Sequence, residues 1–183
     1  MSSYDALATA WVNSFSGSWR SLDLLLIAIT TVGAPLMILA VAVRWWSPGD
    51  RPRERHAAVA AGLSFLLGLT LNQVLLLFGH RMRPYDAGVT HLLIARSQDP
   101  SFPSDHATAA FSIVFAFLFQ KRFLRAFLFS LIGSLLVISR VYLGIHYVGD
   151  ILGGMVTALI AASAIHLVYR EGTRLDRWIT SIL

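Results

Sequence analysis

The chain has 183 residues, of which 56% are hydrophobic and only 14% charged, with a formal net charge of +5. That balance is too apolar for an ordinary soluble protein, and the length suits a single domain over residues 1–183. No cysteine is present, which excludes disulfides, thiolate metal sites and cysteine nucleophiles, while the arginines lie in short loops between apolar runs, where they signal topology rather than a nucleic-acid partner.

The chain opens Met1-Ser2-Ser3-Tyr4-Asp5, with an acid where a cleavable signal would carry basic residues, so no signal peptide is expected. Leu7, Trp11, Phe15 and Trp19 then recur every four residues among Ser, Asn and Gly, which predicts a helix lying in the membrane interface with one apolar stripe. Five apolar stretches follow. They run from about Leu24 to Trp46, containing Pro35, from Ala57 to Gly79, from Ala107 to Phe119, from Phe127 to Leu143 and from Val148 to Tyr169. The third reaches bilayer length if its helix begins near Ser104, given the roughly 20 residues that a spanning helix needs. The expected fold is all-α, a polytopic membrane helical bundle of about five transmembrane helices with an N-terminal interfacial helix. No internal repeat interrupts it.

If the spans alternate, Arg44, Arg51, Arg53, Arg55, Lys121, Arg122, Arg125, Arg170, Arg174 and Arg177 share one face, ten of the fifteen basic residues. The positive-inside rule assigns that face to the cytoplasm. The long loop from His80 to Pro103 then looks outward, which in a bacterium means an inner membrane protein facing the periplasm.

The outward face collects three clusters: Arg81-Met82-Arg83-Pro84, Pro103-Ser104-Asp105-His106, and Ser139-Arg140 with His146 and Asp150. Ionisable groups at the ends of apolar helices are costly unless a site needs them. His146 and Asp150 are four residues apart and share a face if the last span starts near Ile145, so the carboxylate can fix the imidazole tautomer for nucleophilic attack on phosphorus. Alone, such a pair is more often structural. Arg140 and Arg83 beside it supply two guanidinium forks for phosphoryl oxygens. Ser104 stands at a helix N-cap, where a phosphate can also sit, and His106 in the next turn is placed as general acid. His56, His80, His91 and His166 are assigned no chemistry. Asn72 and Gln73 are expected to hydrogen-bond between helices, and Gly149, Gly153 and Gly154 to permit close packing.

These clusters resemble the three-part signature of the type 2 phosphatidic acid phosphatase family, Lys-x6-Arg-Pro, Pro-Ser-Gly-His and Ser-Arg-x5-His-x3-Asp. The third part is complete from Ser139-Arg140 through His146 to Asp150; the second has Asp105 for glycine; the first keeps Arg83-Pro84 but has Leu76 at the lysine position. Arg81 is the expected substitute for that lysine. The resemblance covers about Asn72 to Gly154 and looks closest to the undecaprenyl diphosphatase branch, with its Arg-x-Arg-Pro and Pro-Ser-Asp-His variants.

The resemblance implies a phosphohistidine enzyme without metal or other cofactor, with His146 as nucleophile, Asp150 as its orienter, His106 as acid, and Arg83, Ser104, Arg140 and Arg81 as phosphate ligands. Its partners would be the bilayer and a lipid phosphate. Polyprenyl diphosphate, phosphatidylglycerophosphate, phosphatidic acid and lipid A phosphate all fit the spacing, undecaprenyl diphosphate best matching the branch. Two rivals remain at this stage. A vanadate-binding peroxidase shares the signature, but such proteins are soluble; a transporter or scaffold of the same fold without activity would be expected to have lost part of the set.

Overall fold

The computed structural model describes residues 3–48 and 50–182. Met1 and Ser2, on which part of the signal-peptide reading rests, lie outside them. The described residues form seven α-helices: α1 (Ser3–Asn13), α2 (Arg20–Val43), α3 (Arg51–Leu76), α4 (Asp105–Phe119), α5 (Phe123–Tyr142), α6 (Val148–Val168) and α7 (Arg174–Thr180). A 3-10 turn, Arg44–Trp46, extends α2. Among the described residues there is no strand.

Among the described residues four stretches are long and apolar enough to cross a membrane, Arg20–Trp46, Arg51–Leu76, Phe123–Tyr142 and Val148–Val168. Helix α4, the remaining expected span, begins at Asp105 as anticipated but has only 15 residues. At 1.5 Å per residue it is about 22 Å long, short of the roughly 30 Å hydrocarbon core. Its position removes the difficulty. It packs on α3, α5 and α6 and buries ten of its residues, so its surroundings are protein rather than lipid. The outer helices do the reverse, exposing Leu24, Leu36 and Leu39 on α2, Leu128, Leu131 and Leu135 on α5, and Leu152, Val156 and Leu159 on α6. Apolar faces turned outward and small residues turned inward are what lipid as solvent selects.

The inward faces are lined by alanine and glycine. Ala57, Ala61, Ala107, Ala110 and Ala158 are all fully or nearly fully buried, and Gly68 faces Thr108 and Ser112 of α4. Gly154 lets α6 come close to α4: a Cβ there would lie 2.6 Å from the Ser104 carbonyl and 2.8 Å from Ala107 Cβ. Asn72 bridges α3 to α4, donating to Asp105 Oδ1 at 2.7 Å and to Thr108 Oγ1 at 2.9 Å. Gln73, expected to share that role, is instead exposed on the outer surface of α3.

One end of the bundle gathers the basic loops predicted to share a face. Buried Glu54 pairs with Arg44 at 3.2 Å, Arg122 at 3.3 Å and Arg125 at 2.5 Å, tying the α2–α3 and α4–α5 connections together. His56 is buried beside them, 2.8 Å from Asp176 of α7 and stacked on Tyr169. Tyr169 also donates to Asp176, so the histidine docks α7 on the bundle.

Helix α1 lies at the opposite end with an inverted pattern. It buries Thr9 and Asn13 and exposes Leu7 and Trp11 by 65% and 68%. A polar face toward protein and an apolar face outward suit an interfacial helix. It stops at Asn13, however, short of the expected run to Trp19, because the chain reverses through Ser16 and Gly17, the latter at φ +79°.

Gly154→Val tests the α4–α6 approach. Its melting temperature in detergent should fall, corresponding to at least the 1–3 kcal/mol typical of overpacking. Gly62→Ala, whose added methyl meets open space, should melt no lower than the unsubstituted chain.

Candidate active site

Arg83 follows α3 in a segment that its neighbour Pro84 holds away from helix. It is buried and held in place by neutral acceptors: Nε donates to the Asp99 carbonyl at 2.8 Å, Nη1 to the Ile145 carbonyl at 3.0 Å and Nη2 to Ser97 Oγ at 3.1 Å. The outer loop thus grips a guanidinium whose Nη1 also stands 3.5 Å from His146 Nε2. Burial lowers the Arg83 pKa from its ordinary value, and Tyr85, Asp99, Asp150 and Asp105 oppose that shift.

His146 and Asp150 meet by a different geometry from the one expected. Helix α6 begins at Val148 with Tyr147 as its N-cap, so His146 precedes the helix and the pair does not share a helical face. Asp150 instead turns back over the helix start, Oδ2 accepting from the Tyr147 amide at 2.8 Å. That oxygen is 3.5 Å from His146 Nδ1. The nearer partner of Nδ1 is the Ser101 carbonyl at 2.9 Å. A carbonyl only accepts, so Nδ1 carries the proton and Nε2 presents its lone pair toward Arg83.

Ser101 is the residue that sequence reasoning missed. Fully buried, it accepts from His146 with its carbonyl and donates to Asp150 Oδ2 with its hydroxyl at 2.5 Å, so it orients both members of the pair. The available signal was only its place two residues before Pro103.

Arg81 requires a correction. Expected to replace the family lysine at the phosphate, it commits both terminal nitrogens to carboxylates, Nη1 to Asp150 Oδ1 at 2.6 Å and Nη2 to Asp5 Oδ2 at 2.5 Å. Its plane lies 4.0 Å over the Tyr147 ring. A carboxylate with no exposure to water needs such a partner, and Asp150 is fully buried. Leu76, at the lysine position itself, is the last residue of α3 and supplies no charge.

Ser104 does cap α4 by position, accepting from the Thr108 amide with its carbonyl at 3.0 Å, but its hydroxyl takes no part in the cap. Among the described residues that buried oxygen finds no hydrogen-bond partner, and neither does Arg140 Nε. Arg140, on the last turn of α5, holds Thr30 Oγ1 with Nη1 at 2.8 Å. Two buried polar atoms left over beside a histidine and two arginines fit an anion bearing several acceptor oxygens. His106 is half-buried in the first turn of α4, within reach of the charges of Arg140, His146 and Arg83. Asp105 points to Asn72, away from His106. Ser139 bonds back to the Leu136 carbonyl of its own helix at 2.6 Å and stays out of the site.

Two hollows flank these groups. One of about 750 Å³ is walled by Asp5, Arg81, Leu75, Phe78, Met82 and Phe102, and one of about 330 Å³ opens on Arg83 between His80 and Pro100. Among the described residues no three His, Asp or Glu side chains converge as a metal site.

A multi-pass helical protein with this site is a membrane phosphatase, a hydrolase working on a lipid substrate at the bilayer. The chain belongs to the PAP2 superfamily, whose sequence model matches residues 57–174. It is 35% identical over 142 residues to undecaprenyl-diphosphatase BcrC of Bacillus subtilis (strain 168), covering 76% of this chain and 70% of that one. Identity to the putative undecaprenyl-diphosphatase YbjG of Escherichia coli (strain K12) is 27% over 155 residues, 85% of this chain and 76% of that one. A solved transmembrane PAP2-type phosphatidylglycerolphosphate phosphatase from Bacillus subtilis shares the fold at a TM-score of 0.69 and 24% identity, covering 94% of this chain and 87% of that one.

Burial lowers the His146 pKa, the hydrogen bond to Asp150 opposes this, and the charges of Arg140 and Arg83 reinforce it. An imidazole that is to attack phosphorus must be neutral, and a depressed pKa keeps the His146 ring neutral into mild acid. With His146 as the attacking group, the acid limb of kcat/KM against pH should fall below the ordinary histidine value of about 6.5. Asp150→Asn, which removes the opposing interaction, should move that limb lower still.

Proposed function

We propose that this chain, as one membrane-embedded phosphatase domain, hydrolyses undecaprenyl diphosphate to undecaprenyl phosphate and inorganic phosphate through a phosphohistidine. The observation that carries the reading is the His146 ring, with Nδ1 donating to Ser101 and Nε2 directed at Arg83. Nε2 attacks the terminal phosphorus; the N–P bond forms as the bridging P–O bond breaks, and the lipid phosphate leaves. The imidazolium so formed keeps its proton on Nδ1, donating it in a hydrogen bond to the Ser101 carbonyl, with the Asp150 carboxylate 3.5 Å away. Water then attacks phosphorus, restores Nε2 and releases inorganic phosphate. Arg83, Arg140 and Ser104 hold the non-bridging oxygens, and His106 protonates a poor leaving group.

The diphosphate headgroup is supported by the names of the two curated relatives. Phosphate release measured side by side on undecaprenyl diphosphate, phosphatidylglycerophosphate, phosphatidic acid and lipid A phosphate tests it, with the highest kcat/KM expected on the first. His146→Ala should abolish both turnover and the trapping of an acid-labile, base-stable phosphoenzyme.

His106→Ala separates acid catalysis from binding. A monophosphate releases an alkoxide, whose conjugate acid has a pKa near the roughly 16 of water, whereas a diphosphate releases a phosphate with a second pKa of about 6. On one isoprenoid chain bearing either headgroup, the variant should lose about 10²–10⁴ in kcat on the monophosphate and much less on the diphosphate. Equal losses would make His106 a phosphate ligand.

The site faces outward, to the periplasm of a bacterial inner membrane, on this reading. Support comes from the arginines gathered around Glu54 at the end remote from His146. A reporter joined after Leu183 should report cytoplasm, and one inserted near Gly88 the periplasm.

A further inference from the structure

Helix α1 does more than lie at the membrane surface, because its polar face ends on the machinery behind His146. The first amides of a helix have no partner within it. At the start of α6 two of them are met by side chains from α1: Val148 N donates to Thr9 Oγ1 at 3.1 Å and Gly149 N to Asp5 Oδ1 at 2.8 Å. The other oxygen of Asp5 accepts from Arg81 at 2.5 Å, and Arg81 passes on to Asp150 at 2.6 Å. Gly149 is part of the same contact, since a Cβ there would stand 2.7 Å from Asp5 Oδ2. Asn13 adds a third tie, donating to the Tyr142 carbonyl at 2.8 Å.

We propose that Asp5 and Arg81 are positioning residues, a relay through which α1 sets the place and charge of Asp150 behind His146. The proposal rests on the phosphohistidine reading above. Asp150 has no exposure, so its carboxylate depends on Arg81, and the pull of Arg81 on it depends on how much of the guanidinium charge Asp5 shares. Without Asp5, Arg81 draws undivided on Asp150 and weakens its support of the imidazolium formed when His146 takes phosphate. Without Arg81, Asp150 is left uncompensated and Asp5 has nothing to act through.

The charged and titratable groups facing His146 are Asp150 on α6, Arg140 on α5, His106 on α4 and Arg83 in the outer loop, and none of them is altered in the variants used. Asp5→Asn keeps an oxygen for Gly149 N and removes the charge. With a short-chain polyprenyl diphosphate and the full chain in lipid–detergent micelles, it should lower kcat about tenfold, the scale of one charge-assisted hydrogen bond, and leave KM within about twofold. Arg81→Gln should cost about a hundredfold, partly restored by Arg81→Lys, since breaking a buried pair is worse than loosening it. The double variant Asp5→Asn/Arg81→Gln should be no slower than Arg81→Gln alone, because Asp5 acts through Arg81.

The acid limb of kcat/KM is the deciding readout. Losing a negative charge in Asp5→Asn disfavours protonated His146 and moves the limb to lower pH; losing a positive charge in Arg81→Gln moves it higher. A relay predicts those opposite shifts, whereas a loosened helix would slow turnover and move neither limb, which would overturn the proposal. Multiplying losses in the double variant would overturn it too. Turnover by His146→Ala would defeat the underlying reading, while a dead His146→Ala beside an Asp5→Asn of unchanged rate and limb would defeat the relay alone.

Discussion

A carboxylate that water cannot reach has to be neutralised and hydrogen-bonded from within the protein, and the outer end of this bundle is arranged around meeting that requirement at Asp150. Four donors surround it: the Tyr147 amide, the Ser101 hydroxyl and Arg81 by hydrogen bonds, and His146 Nδ1 at a longer 3.5 Å. They arrive from three segments. The amide belongs to the turn into α6, the serine to the long outer loop and the arginine to the exit from α3, so the carboxylate is where three separate stretches of chain are brought into register. An unpaired buried carboxylate would cost several kcal/mol, which makes these connections conditions of folding as well as of chemistry.

The same logic explains why the central helix is short. Helix α4 has to present Ser104 and His106 at the level where α6 begins, and the Ser104 amide donates to the Asp150 carbonyl at 3.1 Å to fix that level. Its other end needs to reach only the connection before Lys121, since α3, α5 and α6 enclose it and no lipid has to be matched. Small residues then decide how near the enclosing helices come. With no hydrophobic force between helices in a bilayer, the approach of Gly154 to Ala107 and of Gly68 to Thr108 is what van der Waals packing and the Thr108 hydrogen bonds can hold.

The spans were legible in the sequence because lipid imposes a length and an apolar surface on any helix that crosses it, and Pro35 and the flanking arginines left that signal intact. His146, Arg83, Arg140, Ser104 and His106 were legible as site candidates because charge or hydroxyl at the mouths of apolar helices is costly without a use. The details that failed were those set by tertiary hydrogen bonds. Spacing of four suggested a helical His146–Asp150 pair, yet the backbone turns at Tyr147 and the pairing is made across a cap. Arg81 looked like a phosphate cation because its partner Asp5 is 76 residues away. Ser101 carries no charge and sits in a loop, so nothing local marks a serine whose carbonyl and hydroxyl both serve the site.

Two arginines separated by one residue therefore have opposite kinds of work. Arg83 spends its nitrogens on a carbonyl and a hydroxyl of the outer loop, on the Ile145 carbonyl and on Nε2 of His146, partners that leave its positive charge uncancelled. Arg81 is placed between two carboxylates, which cancel its charge and leave little for an incoming anion. Charge that remains uncancelled is what attracts a phosphoryl group, and charge that is shared is what holds a carboxylate still. A lysine on α3 would have added a third uncancelled cation near the anion site, and Leu76 adds none. On the proposed reading the cationic field offered to a phosphoryl group falls to Arg83 and Arg140, with Ser104 adding a neutral hydroxyl, so the orientation of these side chains by the outer loop and by Thr30 carries more of the work than their number.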